Sequence, residues 1–250
     1  MDPLEAITPI DGRYREKLEK LSEYFSEYAL FKERVRIEVK YLAKLVEEVE
    51  RDKLRSLPLN WKEMLEVIAE SFSVEDAERV KEIERETGHD VAAVIKFLRE
   101  RLRERELGPL APYVHLGLTS EDVNNLAQSM LLRRFVSEVF APLIVKFLEQ
   151  ISALALEHVD TVMLGRTHGV PAVPTTFGKF LANYAYRVGK LAERICFFRF
   201  PGKLGGAVGD HSALKFAYPE VDWIEFSRSF VESLGLEYVP ASTQILPHDK

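Results

Sequence analysis

"RRFVSEVFAPLIVKFLEQISALALE", residues 133–157, is the stretch that decides the fold. Val136, Phe140, Leu143, Phe147, Ile151 and Leu154 recur at intervals of three and four rather than two, which places them on one face of an α-helix. The helix is predicted to start at "LTSEDVNNL" and to run to about residue 160. Pro142 should bend it, because proline removes one helical donor and crowds the preceding turn.

The same period extends outward in both directions. Downstream, Phe177, Phe180, Leu181, Tyr184, Val188, Leu191 and Ile195 repeat nearly as a heptad and predict a second long helix. Upstream, over residues 22–50, Tyr28, Phe31, Val35, Val39, Leu42, Leu45 and Val49 form one apolar stripe, with Glu, Lys and Arg on the other face. Ser73 reads as an N-cap with Asp76 as its reciprocal partner, Gly88 is placed to end that helix, and Val91, Val94, Ile95 and Leu98 mark another. The expected fold is all-α: a small N-terminal helical domain over residues 1–111, then part of an extended long-helix bundle over 112–250. The boundary is expected near residues 109–114, where two prolines interrupt the pattern. Stripes this wide predict that the bundle oligomerises, the alternative being that each stripe only builds a core within the chain.

Composition narrows the function. The 250 residues are 46% apolar and 30% charged, which suits a soluble globular chain. A net charge of -6 without a basic run gives no reason to approach nucleic acid or an anionic membrane, so a small-molecule substrate is expected. A single cysteine, Cys196, excludes an internal disulfide framework and a cysteine-based zinc site. No signal-peptide pattern and no run of 18 apolar residues is evident, and the reading is cytoplasmic, with no membrane partner. Neither a cofactor nor a metal site is expected. "GKLGGAVGDH", residues 202–211, is glycine-rich but lacks the Lys-Ser/Thr ending of a P-loop.

Chemistry should sit in the polar punctuation between helices. In "GRTHGVPAVPTTFGKF", residues 165–180, Pro171 and Pro174 favour extended backbone, so His168 is held on a stiffened segment ahead of a long helix. Imidazole titrates near neutrality and suits a general acid, although a loop histidine can equally serve backbone groups. In "LTSEDVNNL", Thr119 or Ser120 caps a helix whose positive end can hold a carboxylate or phosphate, although a plain capping box between Thr119 and Asp122 needs no ligand. Glu121 and Asp122 oppose an anion there unless they point away. His89 and Asp90 follow Gly88 at a helix junction, and Asp11-Gly12 forms a turn presenting Arg13 and Tyr14, donors suited to phosphate.

Taken together, "ITPIDGRY", "ERETGHDV", "LTSEDVNNL", "GRTHGVPAVPTTFGK", "GGAVG", "AYPEVDW" and "STQILPHD", in this order along the chain, resemble the fumarase/aspartase superfamily and, within it, the adenylosuccinate lyases. The resemblance implies a β-elimination that releases fumarate from adenylosuccinate and from the succinylated aminoimidazole carboxamide ribotide. It implies His168 as the acid for the departing nitrogen. It further implies that Arg13 and Tyr14 hold phosphate, that Gly88, His89 and Asp90 lie at the ribose and succinyl region, and that Thr119 and Ser120 receive a succinyl carboxylate. Thr167 and Gln244 would also contact substrate. The partner it implies is a second copy, in a homotetramer with shared sites. The family's serine base lies on a mobile loop with no counterpart here, so the 250 residues are expected to be the N-terminal part of a longer enzyme and inactive alone. The alternatives are another fumarate-releasing lyase of the superfamily and a non-catalytic helical or nucleotide-binding module.

Overall fold

The computed structural model describes residues 6–247. Along the chain run α1 (Arg15–Leu18), α2 (Ser22–Phe25), α3 (Glu27–Glu48), α4 (Trp61–Glu70), α5 (Val74–Thr87), α6 (Asp90–Glu104), α7 (Ser120–Phe135) and α8 (Ala141–Glu157). There follow β1 (Val162–Thr167), β2 (Val170–Thr176), α9 (Phe177–Cys196), β3 (Pro201–Gly202), α10 (Ser212–Ala217), α11 (Trp223–Ser233) and β4 (Glu237–Tyr238). The fold is mostly helical with long helices, as the periodicity predicts. Two compact units divide the chain, one formed by residues 1–132 with 200–250 and the other by 133–199.

The first unit is built around α3. Phe31, Val35, Val39, Leu42 and Val46 pack with Leu65 and Ile68 of α4, Val80 and Ile83 of α5, and Val94 and Leu98 of α6. On another side of the same helix Ile37, Tyr41 and Leu45 meet Val123 and Leu126 of α7 and Phe226 and Phe230 of α11. The expected single stripe is thus only half of the buried surface of α3. Glu33, Arg34 and Glu38, which periodicity assigned to a solvated face, are 2%, 4% and 0% exposed. A helix apolar on two sides and crossed by partners leaves little of its charged face in water.

Local signals are realised where the sequence places them. Ser73 and Asp76 form a reciprocal capping box, and Gly88 ends α5 in the left-handed region at φ +66°. Residues 109–114, where a boundary is expected, form a 3-10 turn (Gly108–Tyr113) whose Leu110 and Ala111 are buried in the core of the first unit. The division between compact units falls at residues 132/133 and 199/200 instead.

In the second unit α8 packs on α9, and β1 and β2 form an antiparallel hairpin before α9. The close approach of the two helices requires Gly178, since a Cβ there would stand 2.3 Å from the Ala155 carbonyl oxygen. Ahead of Pro142 the helical ladder makes one π-turn, Val136–Phe140, and regular α-helix resumes at Ala141 with the proline in its first turn, where its missing donor costs least. The continuous helical run Ser120–Glu157 contains an 18-residue window of mean hydropathy 1.7, none of it buried. By length and composition it could cross a membrane, a property that the search for an unbroken apolar run does not detect. Its Lys146 and Glu149 break such a run without lowering the average enough.

Candidate functional site

The first unit assembles His89, Asp90 and Ser120, three of the expected residues, although 31 positions separate His89 from Ser120. His89 is the N-cap of α6, with Nε2 3.4 Å from Ser120 Oγ at the start of α7. Asp90 is gripped from the other side by Arg34 of α3, Nη2 to Oδ2 at 2.7 Å, while Arg34 Nε donates to Asn124 Oδ1 at 2.9 Å. Burial pushes the Asp90 carboxyl up, but the Arg34 charge and the Val91 N–H together hold it below the usual aspartate range. Gly88 precedes this cluster as the left-handed residue that turns the chain from α5 into α6.

Asp122 folds back onto the start of α7, where its carboxylate caps the turn that leads into the helix. Its carboxylate is fully buried, accepting the N–H groups of Thr119 (2.9 Å), Gly205 (3.0 Å) and Gly206 (2.9 Å), with Lys203 Nζ 2.9 Å away. Asn125 adds a reciprocal pair with the backbone of Lys203, donating to its carbonyl and accepting its N–H. The glycine-rich segment therefore spends its amides on an internal carboxylate. A buried carboxylate with three amide donors and a lysine is fully engaged, so the "LTS" turn and the Gly205-Gly206 turn are tied to one anchor.

A second buried pair was not anticipated from the sequence. His115, in the left-handed region at φ +64°, places Nδ1 2.5 Å from Glu38 Oε1, and the Glu38 side chain is wholly buried. Tyr41 donates from Oη to the Leu116 carbonyl at 2.8 Å, and burial, followed by the charges of Glu38 and Asp122, raises its pKa well above the usual phenol value. The signal available was a histidine two residues before Gly117, in a segment leading directly to Thr119-Ser120.

Thr167 and His168 belong to the second unit. β1 and β2 pair Thr167 with Val170, so His168 and Gly169, at φ +51° and +79°, form a two-residue turn of the type hairpins prefer. The extended backbone that Pro171 and Pro174 impose becomes strand β2, tolerable because a two-stranded sheet consists of edges. Arg166 Nη1 donates to the Gly169 carbonyl at 3.4 Å across the turn, and the His168 side chain is exposed. A histidine held at the tip of a hairpin is aimed outward by its backbone. Arg13 and Tyr14 are exposed next to each other, the guanidinium 5.7 Å from the ring centroid, and Gln244 is exposed near the end of the described residues. His248 and Asp249, which complete "STQILPHD", lie outside them.

Adenylosuccinate lyase of Escherichia coli (strain K12) is 43% identical over 250 residues, covering 100% of this chain and 55% of that protein. Adenylosuccinate lyase of Legionella pneumophila (strain Corby) is 40% identical over 247 residues, covering 98% and 54%. The chain thus spans about half the length of the curated relatives it matches. Among solved structures, β-carboxy-cis,cis-muconate cycloisomerase from Acinetobacter calcoaceticus sp. ADP1 superposes with a TM-score of 0.71 at 20% identity, over 90% of this chain and 50% of that one. A fumarate lyase from Mesorhizobium sp. BNC1 gives 0.63 at 24% identity, over 90% and 49%. These two establish the fold alone. The sequence pattern of the lyases matches residues 12–250, and the chain belongs to that lyase family.

Proposed function

We propose that the protein is an adenylosuccinate lyase, eliminating fumarate from adenylosuccinate to give AMP and from the succinylated aminoimidazole carboxamide ribotide in the same way. The observation that carries this reading is 43% identity to an adenylosuccinate lyase along the whole chain. His168 is the general acid that protonates the departing nitrogen, a role suited to an imidazole fixed at a hairpin tip. Thr119 and Ser120 receive a succinyl carboxylate at the start of α7, where the positive helix end favours an anion and the Asp122 carboxylate is occupied by the Thr119, Gly205 and Gly206 amides and by Lys203. Arg13 and Tyr14 hold the phosphate. Gly88, His89 and Asp90 line the ribose and succinyl side, with Thr167 and Gln244 as further contacts. The base that takes the carbon-bound proton comes from outside these 250 residues, and no cofactor or metal takes part.

The protein works in the cytoplasm as a homotetramer whose sites are shared among subunits. Exposed apolar residues along α8 and α9, including Leu143, Phe147, Leu154, Phe180 and Leu191, support this reading, since side chains of this kind gain by being covered. Covering by other copies also accounts for the apolar window in Ser120–Glu157 without a membrane.

The test joins this chain to the remaining half of the Escherichia coli relative and measures fumarate release from adenylosuccinate. Turnover is expected, with His168→Ala reducing it about 10²–10⁴-fold. A folded hybrid that leaves adenylosuccinate intact, or one indifferent to His168→Ala, overturns the reading.

A further inference from the structure

We propose that the glycine-rich segment 205–209 is a rigid backbone spacer between the turn that carries Thr119 and Ser120 and the segment that carries Gln244, with Gly209 as the seat on which Gln244 is placed. Gly209 is a positioning residue, acting through Gln244. All three stretches belong to the first unit.

A glycine-rich stretch is loose by default, because glycine restricts its own backbone least. This one is held at both ends. At the first end the Gly205 and Gly206 N–H groups donate to Asp122 at 3.0 and 2.9 Å, and the same carboxylate accepts the Thr119 N–H at 2.9 Å. Gly206 also abuts the turn before α7, where a Cβ on it would stand 3.0 Å from the Gly117 carbonyl oxygen. The segment then folds on itself, the His211 N–H donating to the Gly205 carbonyl at 2.8 Å and the Gly209 N–H to the Gly206 carbonyl at 3.3 Å. A Cβ on Gly205 would come within 2.9 Å of Gly209 Cα. Gly205 and Gly206 are buried, and only Ala207 and Val208 at the bend are exposed.

The second end meets residues 242–244. Gly209 is left-handed at φ +81°, and a Cβ there would stand 2.5 Å from the Ser242 carbonyl oxygen and 2.8 Å from that of Thr243. Both obstacles are backbone atoms, which cannot swing aside as the tip of a side chain would. Only glycine lets the two chains approach this closely. Among the described residues no hydrogen bond ties Ser242, Thr243 or Gln244 to the rest of the chain. Upstream the Val239 N–H donates to the Gly202 carbonyl at 2.9 Å, and downstream Leu246 is buried. Between those two fixed points, contact with Gly209 sets the backbone path through Gln244.

The use of this spacer rests on the lyase reading, in which Ser120 and Gln244 touch one substrate. Asp122 and the glycines then fix where the two stand relative to each other. A misplacement of about 1 Å in such a site costs about 10²-fold in rate, so a methyl group on Gly209 acts on the reaction without touching substrate.

The test has a structural and a functional arm. In backbone spectra of the 250-residue chain, Gly209→Ala should move the amide resonances of Ser242, Thr243 and Gln244, and Gly206→Ala should move those of Thr119 and Ser120. In the hybrid with the remaining half of the Escherichia coli relative, Gly209→Ala and Gln244→Ala should each lower kcat/KM for fumarate release by about 10–100-fold. Their double variant should lie within about threefold of the weaker single, because both remove one contact, whereas independent losses would multiply. Val208→Ala, at the exposed bend, should change kcat/KM by less than about twofold. Should Gly209→Ala fail to fold, Overhauser contacts between the Gly209 Hα protons and residues 242–244 of the unsubstituted chain, with the same cycle run on Gly206→Ala and Ser120→Ala, carry the test. Unmoved 242–244 resonances in folded Gly209→Ala, absent Overhauser contacts, or losses that multiply overturn the spacer. Moved resonances in a chain whose hybrid releases no fumarate would retire the lyase reading and leave the spacer standing.

Discussion

The two units solve the burial problem differently. In the first, α3 is covered on two sides, and even its Glu33, Arg34 and Glu38 are withdrawn from water. In the second, α8 has no buried residue and α9 has only Gly178 and Ala192, both small. The same period of three and four produced both, so amphipathic spacing says that a face wants a partner without saying that this chain supplies it. The first unit carries its own buried core, whereas the second packs α8 on α9 and pairs β1 with β2 while leaving many apolar side chains exposed.

The largest expected effect tests whether the first unit really depends on its interior. Asp122→Ala strands Lys203 Nζ and three backbone amides in a dry site, and removing one partner of a buried pair costs about 3–5 kcal/mol. Phe147→Ala in the second unit, at an exposed position, should change stability by less than about 0.5 kcal/mol at low protein concentration. Urea unfolding of both variants measures the contrast. Equal losses would mean that the second unit has a core of its own and that the comparison is false.

A smaller effect bears on what covers the second unit. Phe147 and Leu154 lie seven residues apart on one face of α8. Replacing both with lysine should lower the average mass seen by light scattering while leaving circular dichroism unchanged, because a buried lysine is costly at an interface and harmless in water. If the unsubstituted chain is already monomeric at high concentration, copies of this chain do not supply the cover.

What the sequence made legible follows the same divide between local and distant causes. The cap at Ser73, its partner Asp76 and the stop at Gly88 were readable because each acts within a few residues. The long helices were readable because periodicity is local as well. Prolines 171 and 174 revealed the extended backbone of β2, but its pairing with residues 162–167, which puts His168 at a hairpin tip, required knowing a partner strand. The Arg34 cluster was hidden for a stronger reason. On α3 a charged residue among apolar ones reads as solvent-facing, and only the packing of α6 and α7 turns Arg34 into a buried clamp on Asp90 and Asn124. His115 was overlooked likewise, since its meaning comes from Glu38, 77 positions away. Of the expected site residues, those near α6 and α7 came together through such distant contacts, and motif order alone carried no geometry.

The smallest predicted effect sharpens the comparison most, because it applies one perturbation to both units. Ser73 Oγ accepts from the Asp76 N–H at 3.3 Å in the first unit, and Thr176 Oγ1 accepts from the Lys179 N–H at 3.2 Å in the second. Either cap replaced by alanine should cost its helix about 1 kcal/mol. Helix α5 is locked into a shared core through Ala77, Val80 and Ile83, so Ser73→Ala should lower the global unfolding midpoint. Helix α9 lacks that lock, so Thr176→Ala should leave the global midpoint nearly unchanged and instead accelerate amide exchange over the first turns of α9, by about fivefold for 1 kcal/mol. A Thr176→Ala loss that appears only in the global transition would show the two units unfolding as one, and the contrast drawn from burial would then describe surfaces rather than stability.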